Sequence, residues 1–250
     1  MVLTVDGLKG KLVGVCVSGG LDSKTVSKRL TEGGVKVPPH PHRPAALRRV
    51  PRAWSGMGTS ACAAGGAEPA ACWQVLAFSA DLGQPDESDI NNVKARMATC
   101  GVDTVIVDLK NEMAEGCFEM LLAQAKYDGG YWNTTGIGRI VTCHGLVTAM
   151  KKRSVDVLSH GATGRGNDQM RFERYTNVLA PDMLVYAPWR DPKLLEEFPG
   201  RSEMAAWLNA RGIEAFVGPK KKYSTDANLS GLSHEAEDLE SVRRRSRSEH

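Results

Sequence analysis

The feature that most constrains this chain is a set of short apolar runs, each stopped by glycine and each followed by helical spacing. "KLVGVCV" (Lys11 to Val17) is β-branched and ends in Ser-Gly-Gly, so it reads as a buried parallel strand. In "SKTVSKRLTEGG", Val26 and Leu30 stand at helical spacing before a stop at Gly33 and Gly34. "VLAFSADLG" (Val75 to Gly83) is a second strand and turn, and "DINNVKARMATCG" (Asp89 to Gly101) a helix ending at glycine. "DTVIVDL" (Asp103 to Leu109) is a third strand. "NEMAEGCFEMLLAQA" (Asn111 to Ala125) is a helix with Met113, Cys117, Leu121 and Ala125 along one face. A helix over Arg139 to Arg153 and a strand over Ser154 to Gly161 follow. Strand and helix alternate, which predicts an α/β fold with a doubly wound parallel sheet. Ligands of such sheets bind outside the carboxyl ends of the strands. The glycine-rich turns after strands one, two and four are therefore expected on one edge.

The pattern breaks between Val37 and Gln74. That stretch holds six of the 12 prolines, nine alanines, four arginines and a single acid, Glu68, with no periodicity. It reads as a disordered insert (37–74) in the connection between the first helix and the second strand. Lys36-Val37 can be encoded with a GT donor and Gln74 as CAG, so the insert is also expected to be retained intron. The tail 241–250, with its arginine run, reads as unstructured. An apolar fraction of 42% can fill a core, while a formal charge of +3 and no aromatic platform beside the arginines argue against nucleic acid. No apolar run is long enough to span a membrane. Six scattered cysteines without a CxxC pair favour reduced thiols and a cytoplasmic location.

The loops carry the chemistry. "SGGLDS" (Ser18 to Ser23) is neither a Walker A loop nor GxGxxG, yet it has the physics of an anion cradle. Gly19 and Gly20 let backbone N–H groups approach an anion, Ser18 and Ser23 offer hydroxyls, and the helix that follows points its positive end at the loop. Asp22 is expected to cap that helix, or else to stand beside a metal. "HGATGRGNDQMRF" (His160 to Phe172) crowds Thr163, Asn167, Asp168 and Arg171 onto a glycine-rich loop. "GGYWNTTGIGR" (Gly129 to Arg139) sets Tyr131 and Trp132 beside Asn133, Thr135 and Arg139, a candidate carboxylate ligand. "YSTDANLSGLSHEAEDLE" (Tyr223 to Glu240) alternates hydroxyls and carboxylates without an apolar face and reads as a polar loop.

Together, and in this order, "SGGLDS", "SADLGQPDE", "YWNTTGIGR", "SHGATGRGNDQMRFE", "VYAPWRDP" and "YSTDANLSGLSHEAEDLE" resemble argininosuccinate synthase. The first string alone would mark only the wider N-type ATP pyrophosphatase class. GATGRGND and APWRD separate this family from its siblings. The resemblance implies a sheet of the adenine nucleotide alpha hydrolase-like type, followed by the start of an α+β synthetase domain. It implies ligation of citrulline to aspartate with ATP leaving as AMP and pyrophosphate, Mg²⁺ sharing the phosphate charge, and a homotetramer. On this basis ATP would meet Cys16, Val17, Ser18, Gly19, Gly20, Leu21, Asp22, Ser23, Ala80, Gly161, Thr163, Asp168 and Asp226. Thr163, Asn167 and Asp168 would hold aspartate. Tyr131, Thr135, Asn167, Arg171, Ser224, Ser233 and Glu235 would surround citrulline. No side chain stands out as a general base, and no protein metal site is expected.

Two departures from the family pattern stand out. Family loops commonly read SGGLDTS, whereas here Lys24 follows Ser23, and Lys24 is expected to face solvent. The family chain also continues well beyond 250 residues. The expected organisation is a nucleotide-binding domain over 1–192, a partial synthetase domain over 193–240 and the tail. Such a chain is expected to leave Leu208, Ile213 and Phe216 uncovered, to bind nucleotide weakly and to form no argininosuccinate. The alternative is a catalytically inactive nucleotide-binding fragment.

Overall fold

The computed structural model describes residues 3–8, 10–32, 75–85, 89–127, 130–164, 166–215 and 224–235. The insert, the tail and Phe216 lie outside the described residues. Five strands form one sheet: β1 (Val13–Cys16), β2 (Val75–Asp81), β3 (Asp103–Asp108), β6 (Val157–Ser159) and β7 (Leu184–Tyr186). Their order is β3-β2-β1-β6-β7, and every pairing is parallel. The chain winds outward from β1 through β2 to β3, then crosses back to β6 and β7. The winding direction thus reverses between β1 and β6, and a crevice opens at the carboxyl ends there.

Alternation along the strands divides the core into two layers. Val13, Val15, Val75 and Ala77 face one cluster with Val26 and Leu30 of α1 (Leu21–Glu32), and Val93 and Met97 of α2 (Asn91–Ala98). Phe78 and Leu158 face the other, with Leu146 and Met150 of α4 (Thr134–Lys151) and Phe172 of α5 (Asn167–Leu179). Gly14 lets α4 come close, since a Cβ there would stand 2.9 Å from Met150 Cε. Helix α3 (Lys110–Leu122) buries Met113, Gly116 and Met120, whereas Leu121 is 46% exposed. The stripe Met113–Cys117–Leu121–Ala125 expected from sequence is therefore corrected. Each step of four residues overshoots a turn by about 40°, and the stripe drifts off the core.

Two short helices, α6 (Pro192–Glu197) and α7 (Arg201–Asn209), complete the first layer. Leu194, Phe198, Leu208 and Ile213 belong to the same cluster as Val13 and Val26. The expectation that Leu208 and Ile213 are uncovered is corrected: they are 0% and 3% exposed. Continuity of this cluster runs across residue 192, where the sequence placed a boundary. Asp191 holds the corner and is fully buried. Its carboxylate accepts from Val5 N–H at 2.7 Å, Tyr186 O–H at 3.0 Å and Lys193 N–H at 3.1 Å. The APWRD string thus works here as a fold knot tying the N-terminal turn (Val5–Leu8) to β7 and α6.

Small antiparallel pairs finish the architecture: β4 (Lys126–Tyr127) with β5 (Tyr131–Trp132), and β8 (Ser224–Asn228) with β9 (Gly231–Glu235). The second pair corrects the reading of Tyr223 to Glu240 as a loop. Its register sets Ser224 opposite Glu235 and Asp226 opposite Ser233, and the strands turn through Leu229-Ser230. The hairpin docks on the start of α4, where Asn228 Nδ2 donates to Thr134 O at 3.3 Å and Thr135 Oγ1 meets Ser233 Oγ at 2.9 Å.

Candidate functional site

A cavity of about 450 Å³ opens at the carboxyl edge of the sheet, at the reversal between β1 and β6. Its size suits a small organic ligand. Cys16, Val17, Ser18, Asp22 and Ser23 form one wall, Phe78, Ser79 and Ala80 a second, and Gly161, Ala162 and Phe172 a third. Arg139, Asp168 and Asp226 sit at its polar side, and Val93 of α2 and Ile90, just before that helix, close it.

The loop after β1 has a defined shape. Ser18 N–H donates to Ser23 Oγ at 3.1 Å, folding the loop onto the first turn of α1. Gly19 has φ 76°, a left-handed conformation that side chains disfavour. Gly20 is exposed, and a Cβ there would meet only Ser18 Oγ, at 3.6 Å. Gly19 is thus required by the backbone, whereas Gly20 leaves room above the loop. Helix α1 begins at Leu21, so Asp22 lies inside its first turn, 3.7 Å from Arg201, and the expectation that it is the N-cap is corrected. Lys24 is half-exposed, and its Nζ donates to Glu214 O at 2.9 Å on the exposed side of the loop.

On the polar side, Arg139 joins three elements. Its Nε donates to Asp168 Oδ2 at 2.8 Å on α5, and its Nη2 to Asp226 Oδ2 at 2.9 Å on β8. Burial alone would lower the guanidinium's pKa, but the carboxylates of Asp226 and Asp168 outweigh it and raise it, so Arg139 keeps its charge. Arg171 Nη1 holds Asp168 Oδ1 at 2.8 Å, and Tyr127 O–H lies 3.4 Å from Arg171 Nη2. Tyr127 packs on Tyr131 with ring centroids 5.9 Å apart.

Of the residues picked from sequence, the structure gathers Cys16 to Ser18, Asp22, Ser23, Ala80, Gly161, Asp168 and Asp226 around one cavity. Arg171, Thr135 and Ser233 stand behind its polar side through the contacts above. Thr163 and Asn167 are exposed at the loop that enters α5, and Tyr131 is 44% exposed on the β4–β5 ribbon. Ser224 and Glu235 are fixed by the hairpin register alone.

Sequence reasoning missed Gln84, which ties the turn after β2 by accepting from Leu82 N–H at 2.8 Å and donating to Ala80 O at 3.0 Å. It missed His160 as a buried support beneath the third wall, stacked on Phe172 at 5.1 Å. It also missed Gly164, where a Cβ would stand 2.8 Å from Trp189 O, so that the APWRD string buttresses the back of the 161–166 loop. The string GATGRG already carried that glycine, but its partner was distant in sequence.

The reversed parallel sheet, the glycine turn leading into α1 and the cavity above them define an α/β HUP nucleotide-binding domain of the ATP pyrophosphatase type. The chain belongs to the family described as arginosuccinate synthase N-terminal HUP domain, which it matches over residues 49–214, more than half its length. Among solved structures, it is similar to the U34-tRNA thiolase NcsA from Methanococcus maripaludis with its [4Fe-4S] cluster. That match has 12% identity and a TM-score of 0.48, and covers 86% of this chain and 62% of the thiolase chain. A predicted subunit of tRNA methyltransferase from Methanocaldococcus jannaschii matches at 13% identity and a TM-score of 0.42, covering 89% of this chain and 97% of the other. Domains of the ATP pyrophosphatase type bind ATP. No helix among the described residues is long and apolar enough to cross a membrane.

Proposed function

We propose that this cavity serves the ATP-dependent ligation of citrulline to aspartate, giving argininosuccinate, AMP and pyrophosphate. The observation that carries the reading is the meeting, in a chain of this family, of the Ser18–Ser23 loop with Arg139, Asp168 and Asp226 around one cavity. The ureido oxygen of citrulline would attack the α-phosphate, pyrophosphate would leave, and the aspartate amine would displace AMP. The loop amides and the positive end of α1 would stabilise charge growing on the departing pyrophosphate. Asp168 would accept the aspartate amine, and Arg139 would exchange an aspartyl partner for a substrate carboxylate, a bidentate match for its fork. Thr135 and Ser233, already hydrogen-bonded to each other, would face the citrulline side.

Among the described residues there is no group of three or more side chains able to hold a metal ion. This donor set fits Mg²⁺ only as a companion of the phosphates, with Asp22 as its one protein carboxylate on the loop side. Bound there, Mg²⁺ would neutralise phosphate charge.

Gly20→Val tests the reading, because the site tolerates a side chain sterically while the space above the loop does not stay open. ATP affinity, measured by calorimetry on the full chain, is expected to fall at least about tenfold, or about 1.4 kcal/mol, with an unchanged melting temperature. Unchanged ATP binding would remove the loop from the site. Incubation with ATP, Mg²⁺, citrulline and aspartate then separates ligation from binding. AMP release that needs citrulline supports the ligase, and ATP binding indifferent to citrulline leaves a nucleotide-binding fragment.

A further inference from the structure

One cation close to the cradle has no part in the chemistry proposed above. Arg96 lies on the second turn of α2, half-buried, with its guanidinium against the loop at Gly19. A Cβ built on Gly19 would stand 2.6 Å from Arg96 Nε and 3.3 Å from Cζ. The left-handed φ of 76° imposes glycine at position 19, and the Arg96 guanidinium fills the space that a side chain there would take. The direction of the helix explains how a residue so far along α2 reaches the loop. Helix α2 joins the carboxyl end of β2 to the amino end of β3, so its own N-terminus lies at the cavity edge. Helical side chains lean toward that end, and Arg96 follows Val93 of the cavity wall by three residues, on the same stripe.

We infer that Arg96 is a positioning residue of the phosphate cradle, occupying the space left by Gly19 and holding the Ser18–Gly20 turn with a positive charge behind its amides. The inference rests on the nucleotide reading above and adds to it a residue outside the cavity lining. Guanidinium suits this position because it is planar enough to lie on a peptide, weakly hydrated and always charged. Its field adds to that of the α1 N-terminus in a partly water-excluded place, where screening is weak. The ligand portion sensed by Arg96 would be the β,γ-pyrophosphate group, whereas adenosine and the α-phosphate would lie beyond its influence.

The test compares inorganic pyrophosphate with AMP, using calorimetry on the full chain and on Arg96→Gln and Arg96→Lys. Arg96→Gln is expected to weaken pyrophosphate at least about fivefold and to leave AMP within about twofold. Arg96→Lys, which keeps the charge, is expected to recover most of the loss. Pyrophosphate binding equal in Arg96→Gln and the unaltered chain would overturn the inference and leave the nucleotide reading standing. Equal losses for pyrophosphate and AMP, repeated in Arg96→Lys, would overturn it as well, since they mark damage to the fold. If the unaltered chain binds neither ligand, the nucleotide reading fails and takes the inference with it.

Discussion

Acid should weaken this fold through one imidazole. His160 follows β6, is 1% exposed and stacks on Phe172. Its Nδ1 accepts from Ala162 N–H at 3.3 Å, which puts the proton on Nε2, and Nε2 is buried without a hydrogen-bond partner among the described residues. Burial pushes its pKa down to about 4; Glu173 and Asp168 oppose the shift and Arg190 adds to it. An unfolded histidine titrates near 6.5, so between about 4 and about 6.5 the unfolded chain binds more protons than the folded one. Stability is therefore fully present above about 6.5 and is lost as pH falls toward about 4. The full effect is about 3 kcal/mol, of which about 2 kcal/mol is gone at pH 5. Urea unfolding at pH 7.5 and pH 5, in the unaltered chain and in His160→Phe, isolates this contribution because other titrating groups cancel in the comparison. His160→Phe should lose about 2 kcal/mol less than the unaltered chain over that interval. Identical pH dependence of the two proteins would refute the reasoning. Protonation of the folded protein also breaks the Ala162 bond, so ATP affinity is expected to hold down to about pH 5 and to drop only as pH approaches about 4.

Other expectations follow from single contacts. Asp191→Ala leaves the buried Tyr186 O–H and the part-buried Val5 and Lys193 N–H groups without their acceptor and should cost about 2–4 kcal/mol in thermal or urea unfolding, with early hydrogen exchange at Val5. Gly164→Ala drives a Cβ against Trp189 O, a backbone atom that cannot step aside. It should shift the 161–166 loop and weaken ATP more than it lowers the melting temperature. Arg139→Leu removes the link among α4, α5 and the hairpin, and should cost about 1–3 kcal/mol, with protection lost first at β8. An unchanged unfolding midpoint in that variant would mean the hairpin is held by its other contacts, among them Thr135–Ser233, Asn228–Thr134 and Leu229 N–H to Leu82 O.

The sheet was legible because parallel strands buried on both faces must be continuous apolar runs, and four of the five strands have them before a glycine or an acidic turn. β7 is only three residues long and half-covered, so it gave no such run. The start of α4 was hidden by Gly136 and Gly138, which look like loop residues. Gly138 is there because the hairpin comes close: a Cβ would stand 3.0 Å from Asn228 Nδ2. The β8–β9 hairpin was illegible because its residues are polar and its partner face is the end of a helix. Of the site, the Ser18–Ser23 loop could be read from local chemistry, whereas Thr135 with Ser233, or Arg139 with Asp226, are pairs that only the fold creates. Family resemblance supplied those names, and the contacts supply a physical reason for some of them. Arg96 and His160 gave no signal, since one acts from the side of a helix and the other from beneath a loop.

The position of β1 at the centre of the sheet bears on the order in which the molecule assembles. Its registers join Val13 to Val75 and Val13 to Val157, whereas β2 and β3 meet at Leu76 and Asp103. Closing the longer β1–β2 loop costs only about 0.7 kcal/mol more than closing β2–β3, but β1 gains nothing until partners from both distant segments are present. Slow, non-local pairing is the expected consequence, with β2, α2 and β3 consolidating first and β1 inserted late. The cradle at Ser18 to Ser23 hangs from that last strand. Capacity to bind nucleotide should therefore appear with the final kinetic phase of refolding, after most helical signal has returned. Pulse-labelled hydrogen exchange would show it: protection at Val15 trailing protection at Phe78 and Val105. Simultaneous protection of all three would mean that the sheet forms as one unit and that the cradle is built along with it.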